Sequence, residues 1–306
     1  MQAPVKWRRL LPHFSPKVVE AHRAYTEDVC DRLIDEFIDT GEADAAGQYA
    51  QQIPPRVIAH KLGIDESRVD EFTMWVRNVL EFGLTQPELR VKYRDVIRDF
   101  FRELVAERSA DLDGGDDLIR ALLRSTDPDG KPVAHEIVVG MCNLQLVAGI
   151  DTTWSSIGSA LWHLASHPDD RRRLADDPGL LATAIEEFLR YYSPVTMARV
   201  ATETVEYGDV TIEPGDKVLM NFPGANHDPR VFENPGEFVI DRERNRHIAF
   251  GSGIHRCAGS NLARLEMEVA IGTWMRRMPE FELSAPDEVT WAGGQVRGPR
   301  YLPVRF

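Results

Sequence analysis

Three short stretches of this chain carry residue types at spacings that can do chemistry. The first is Phe250-Gly-Ser-Gly-Ile-His-Arg-Cys-Ala-Gly259, which contains one of three cysteines and runs into an amphipathic helix. A thiolate at a helix N-terminus meets unpaired N–H groups and the positive end of the dipole, which favours the anion. Glycines at 251, 253 and 259 allow sharp turns and the close approach of something flat. Together these suit a soft metal ion carried by a planar ligand.

Other readings of Cys257 and His255 stay open at this level. An isolated cysteine is most often a small buried hydrophobe. A closed zinc site needs about four ligands, and only His247, His255 and Cys257 lie close in sequence. A thiol protease needs a base and an oxyanion hole that nothing here selects. A haem iron with one proximal thiolate needs Cys257 alone.

The second stretch is Ala148-Gly-Ile-Asp-Thr-Thr153, inside a long apolar run. Glycine costs about 1 kcal/mol in a helix interior, and Asp and Thr are poor formers. A buried acid there needs a partner. Such rule-breaking marks functional sites: Gly149 opens room over a flat ligand, while Asp151 and Thr152 relay protons or loosen the helix by bonding its backbone. A kinked helix with an exposed polar patch explains the same residues equally well. The third stretch is Glu187-Phe-Leu-Arg190, an i, i+3 pair usually worth a few tenths of a kcal/mol on a surface. Its apolar neighbours Phe188, Leu189, Tyr191 and Tyr192 point instead to a half-buried helix, where bidentate pairing counts for more.

The elements that must position these stretches are mostly helical. Apolar spacing predicts helices from Pro16 to about Thr40, from Pro54 to Gly63, from Pro87 through Val105, over about 133–166, 168–175 and 178–192, and from Cys257 to about Arg277. Short β-like runs lie at 205–207, 210–212 and 218–222, parted by Gly208-Asp209 and Pro214-Gly-Asp216 turns. Residues 223–249 read as a long irregular segment, the kind that is usually functional. The fold class is mainly α with a minor β part, in one domain over 1–306.

Composition limits the partners. The 306 residues carry a net charge of −13, which disfavours a nucleic-acid binder. Cys30, Cys142 and Cys257 are odd in number and far apart, which fits a reducing cytoplasm and no disulfide framework. The run Ile137–Ile150 is too short and too polar to span a bilayer, and no secretory signal opens the chain, so no membrane is expected.

Taken in order, the three stretches resemble those of a cytochrome P450 of the soluble bacterial type. The Cys257 stretch matches the family's F-G-x-G-x-H-x-C-x-G haem loop at every fixed position, 148–153 its A-G-x-D-T-T, and 187–190 its E-x-x-R. The resemblance implies haem b between a long distal helix and the helix after the cysteine loop. It implies Cys257 as proximal ligand, with Phe250, Gly251, Ala258 and Gly259 around it and Ala148 and Gly149 opposite. It further implies Arg8, Arg199 and His255 on the propionates, and Asp151 with Thr152 delivering protons during oxygen activation. Glu187 and Arg190 pair with Arg242. Substrate lies near Leu144, Val147, Val195, Thr196, Met197, Gln295 and Val296.

The implied activity is a haem-thiolate monooxygenase acting on a small, mostly hydrophobic molecule. Electrons come from NAD(P)H through a separate ferredoxin or flavodoxin docking near Arg256 and Arg264. The chain departs from the family pattern at Pro4, at Ala225-Asn-His-Asp-Pro229, and in lacking the family's section before Trp7. A truncated, catalytically impaired haem-binding protein is therefore the alternative, with unpaired sheet edges at 210–212 and 218–222. A peroxide-using enzyme and a plain helical scaffold are weaker rivals.

Overall fold

The computed structural model describes residues 9–126 and 130–306; Pro4 and Arg8 lie outside them. Helices α1 (Pro16–Glu20) and α2 (Arg23–Asp35) replace the single helix expected to Thr40. The break falls at His22, which sits 3.3 Å from Lys61 Nζ and whose carbonyl accepts from the Thr26 hydroxyl. Helix α3 (Ile53–Leu62) has prolines in its first turn and stops at Gly63, φ +65°, a conformation that favours glycine. Helices α4 (Val69–Leu80) and α5 (Pro87–Ala110) pack together, and α5 buries Ile97, Phe101 and Val105 at one-turn spacing. Helix α6 (Leu118–Arg124) is capped by Asp117, which accepts the Arg120 N–H at 2.9 Å.

Two collinear helices, α7 (His135–Gly149) and α8 (Asp151–Ser166), form the axis of the core. Their joint at Ile150 has φ −87° and ψ −69°. The combined 32-residue run, longer than the 137–150 stretch judged from sequence, is long and apolar enough to cross a bilayer by length and composition alone. Its apolar side is instead spent inside the protein: Val138, Val139, Cys142, Leu146, Ile157, Leu161 and Leu164 are buried. Helices α9 (Pro168–Asp176) and α10 (Leu181–Tyr192) follow, then the short α11 (Phe222–Ala225), the irregular segment to 249, and α12 (Ser260–Arg277). Helix α12 packs against α2, α8 and α10.

The β part is small. Strands β1 (Glu42–Asp44), β9 (Pro303–Arg305) and β6 (Glu282–Leu283) form one sheet, with Ala43 opposite Val304, tying the first sixth of the chain to its end. Strand β2 (Met197–Val200) pairs with β5 (Lys217–Met220), β3 (Val205–Tyr207) with β4 (Val210–Ile212), and β7 (Thr290–Ala292) with β8 (Gly298–Tyr301). Strand β2 escaped sequence reading. Val200 and Leu219 are 60% and 65% exposed, so the β2–β5 pair has a bare apolar face.

Candidate functional site

The cysteine loop is built from turns that need its glycines. Gly251 and Gly253 have φ +68° and +64°, conformations that cost a side-chain-bearing residue about 1 kcal/mol or more. The Cys257 N–H donates to Phe250 O at 2.8 Å and closes the loop. Arg264 lies over the Phe250 ring at 4.6 Å. A Cβ on Gly259 would stand 3.9 Å from both the Cys257 sulfur and the Phe14 ring, an ordinary contact. Ala258 is half-buried and His255 exposed.

Cys257 is the exposed one of three cysteines. Burial pushes the Cys30 and Cys142 thiols up to about 12. The residue keeps an open side, yet enough protein rings the Cys257 sulfur that desolvation raises its pKa too, against the Gly259 N–H, Arg264 and Arg256. Desolvation thus opposes the anion that the helix-end position favours.

Helix α7 shows one open stripe on an otherwise buried cylinder: Gly140, Asn143, Leu144, Val147 and Ala148, continued by Thr152 on α8. At 100° per residue an unbroken helix would put Asp151 on this stripe. Across the break at Ile150 Thr152 takes the open position and Asp151 turns inward to 1% exposure. The Thr152 hydroxyl donates to Ala148 O at 2.8 Å. Gly149 lies on the opposite side, where a Cβ would stand 2.9 Å from Ile58 Cδ1. Its smallness serves the crossing with α3. This corrects the expectation that Gly149 opens room over a ligand; Ala148 is the residue facing the open side.

Asp151 has partners that sequence reading missed. Arg300 on β8 donates from Nη2 to Asp151 Oδ1 at 2.8 Å, from Nη1 to Ser155 Oγ at 3.1 Å, and from Nε to Glu81 Oε2 at 3.2 Å. Its guanidinium lies over Trp154 at 4.2 Å. Burial raises the Asp151 pKa above the usual carboxylate range, with Arg300 opposing and Glu81 assisting. No local spacing signals this pair, because 149 residues separate the two.

Glu187, Arg190 and Arg242 come together. Glu187 and Arg190 are fully buried and joined by two bonds of 2.7 Å. Arg242 donates from Nε to Glu187 Oε2 at 3.0 Å, as does Asn245 from Nδ2. Arg190 also donates to the carbonyls of Asn226, Pro235 and Glu237, pinning the irregular segment below the cysteine loop. Burial works against the Glu187 charge, but Arg190, the Val239 N–H and Arg242 lower its pKa on balance. Asn226, also missed, accepts the Ile248 N–H at 2.8 Å and so holds the entry to the loop.

The residues expected near substrate fall into two groups. Val195 bridges Val296, Thr196 N–H donates to Gln295 O at 3.0 Å, and Gln295 Nε2 reaches Met197 Sδ at 3.5 Å. Leu144 and Val147 lie on the open stripe. Arg199, on β2, bonds only the neighbouring Ala198 carbonyl, and neither it nor His255 has a carboxylate partner among the described residues. Arg264 is not free for a partner: it pairs with both oxygens of Glu186, and Glu186 Oε2 also meets His247. It lines a pocket of about 420 Å³ with Arg246, Arg256 and Phe250.

Among the described residues no three His, Cys, Asp or Glu are grouped to hold a metal. An open-sided cysteine, an apolar helix face, and Arg199 and His255 without carboxylate partners among the described residues fit a haem and its propionates.

A family model described as Cytochrome P450 matches residues 69–177 and 179–291. Cytochrome P450 107B1 of Saccharopolyspora erythraea is 38% identical over 296 residues, covering 95% of this chain and 72% of that protein. The 6-deoxyerythronolide B hydroxylase of the same organism is 36% identical, with 96% and 73% covered. The solved structure of PksS, the P450 of the Bacillus subtilis bacillaene polyketide synthase, superposes with a TM-score of 0.91 at 34% identity, over 98% of this chain and 78% of that one.

Proposed function

The chain belongs to the cytochrome P450 family, and from that premise we propose that it is a haem-thiolate monooxygenase with Cys257 as its proximal ligand. Haem b bound there supplies the redox centre at which a substrate C–H, O₂, two electrons and two protons become an alcohol and water. The reading is carried by one observation: an exposed Cys257 in a loop that Gly251, Gly253 and the Cys257 N–H bond to Phe250 O hold in shape.

The protein's own residues bind, orient and move protons. Arg199 and His255 take the propionates, and Ala148, Leu144 and Val147 wall the opposite face. The Thr152 hydroxyl stands at the open position, while Asp151 supplies the acid behind it. For Asp151 to exchange protons with Thr152 it must loosen from Arg300. Glu187, Arg190 and Arg242 keep the proximal loop rigid. Electrons come from NAD(P)H through a ferredoxin or flavodoxin in the cytoplasm, docking near the exposed Arg256. The relatives' names support a small, mostly hydrophobic, polyketide-like substrate.

A second reading, a haem-binding protein with little turnover, is favoured by the exposed apolar face of the β2–β5 pair. Incubation with ¹⁸O₂, NADH, a ferredoxin–reductase pair and a panel of apolar polyketides separates the two. Products carrying one ¹⁸O, lost in Cys257→Ser, support the monooxygenase. Haem binding without such products supports the second reading.

A further inference from the structure

The open stripe of α7 runs on past Leu144 to Asn143, which lines a cavity of about 260 Å³ with Val91, Arg94, Asp95 and Arg98 of α5. Two buried polar atoms of these residues lack a hydrogen-bond partner among the described residues: Arg98 Nε, a donor, and Asn143 Oδ1, an acceptor. Asp95 is taken up by Arg98, 2.7 Å away, which also lies 3.7 Å from Asp99. Arg94 is exposed and makes no ion pair or hydrogen bond among the described residues, so its charge is the uncompensated one. Val91, 63% exposed, gives the rim an apolar surface. A cavity with one uncompensated cation, Arg94, that adjoins the open stripe of α7 through Asn143 suits an amphiphilic anion.

We propose that this cavity anchors the acidic end of the substrate, a carboxylic acid with an apolar body. Its carboxylate sits on Arg94 and Arg98 while its chain runs along Leu144 and Val147 toward Thr152. The inference rests on the monooxygenase reading of the same site and adds the substrate class. Turning the Asn143 amide over presents its N–H₂ to the same anion. From Asn143 to Thr152 the axis advances about 13 Å at 1.5 Å per residue. The oxidised carbon therefore lies far from the carboxylate, not beside it.

Isothermal titration calorimetry of the haem-loaded full chain with decanoate and decan-1-ol, equal in chain length, tests this. Decanoate is expected to bind about tenfold more tightly than the alcohol. Arg94→Gln, at an exposed position that does not threaten folding, should abolish the preference and leave decan-1-ol unchanged. Equal affinities, a preference that survives Arg94→Gln, or no measurable decanoate binding would overturn the subsite. The reduced carbonyl spectrum of the same sample keeps the two readings apart. A thiolate-type band without acid preference removes only the subsite, and a missing band removes the haem-thiolate reading while calorimetry still decides the subsite.

Discussion

Arg300 holds Asp151 through a 2.8 Å bond in the core, and the same guanidinium reaches Glu81 on the far side. One cation thus serves two carboxylates, one of them at the centre of the α7–α8 joint. Replacing Arg300 with Met leaves Asp151 buried and unpaired. Stability should fall by about 3 kcal/mol at neutral pH, read from urea unfolding, and adding Asp151→Asn should restore much of it. A single variant as stable as the parent would show that the pair holds nothing together.

Gly149→Ala tests which side of the helix the glycine serves. The new methyl meets Ile58 at 2.9 Å, and because the obstacle is the tip of a side chain the cost should be about 1 kcal/mol. Ile58→Val in the same chain should remove most of that cost, with a coupling measurable by a double-mutant cycle. Loss of haem affinity that Ile58→Val does not relieve would return Gly149 to the ligand side.

Much of this was legible in the sequence, and what was not has a physical pattern. Helices α5, α10 and α12 announced themselves by spacing, and the β3–β4 hairpin by its Gly208-Asp209 turn. The buried Glu187–Arg190–Arg242 group followed from resemblance, though local energetics alone favoured a surface pair. Arg300 was invisible because its partners lie 149 and 219 residues away. The inward turn of Asp151 accompanies the helix break at Ile150, which ideal periodicity cannot supply. Arg264 looked like a surface cation until Glu186, on a different helix, was found to claim it.

Thr152→Ala should lower O₂-dependent product formation by about 100-fold while peroxide-driven oxidation persists. Product and reduced-cofactor consumption measured together check this. Equal losses with both oxidants would make Thr152 a packing residue, tied to Ala148 O, rather than a proton carrier.

Acid stability should report Glu186. Burial opposes its ionisation, but Arg264 and His247 outweigh it and bring the pKa down to about 2. A depressed carboxylate stabilises the fold above its unfolded value of about 4.3, and that contribution is lost as pH falls from there to about 2. Glu186→Gln should therefore be less stable than the parent at neutral pH, with the gap closing across that window in fluorescence-monitored unfolding. A gap that stays constant with pH would assign it to packing.

The central claim is that Cys257 carries the iron of a haem as a thiolate. The reduced carbon monoxide difference spectrum of the purified 306-residue chain tests it most directly. A red-shifted thiolate-type Soret band that disappears in Cys257→Ser is the predicted result. A haem-loaded protein showing only the band of a neutral ligand, or a thiolate band that survives Cys257→Ser, would contradict it.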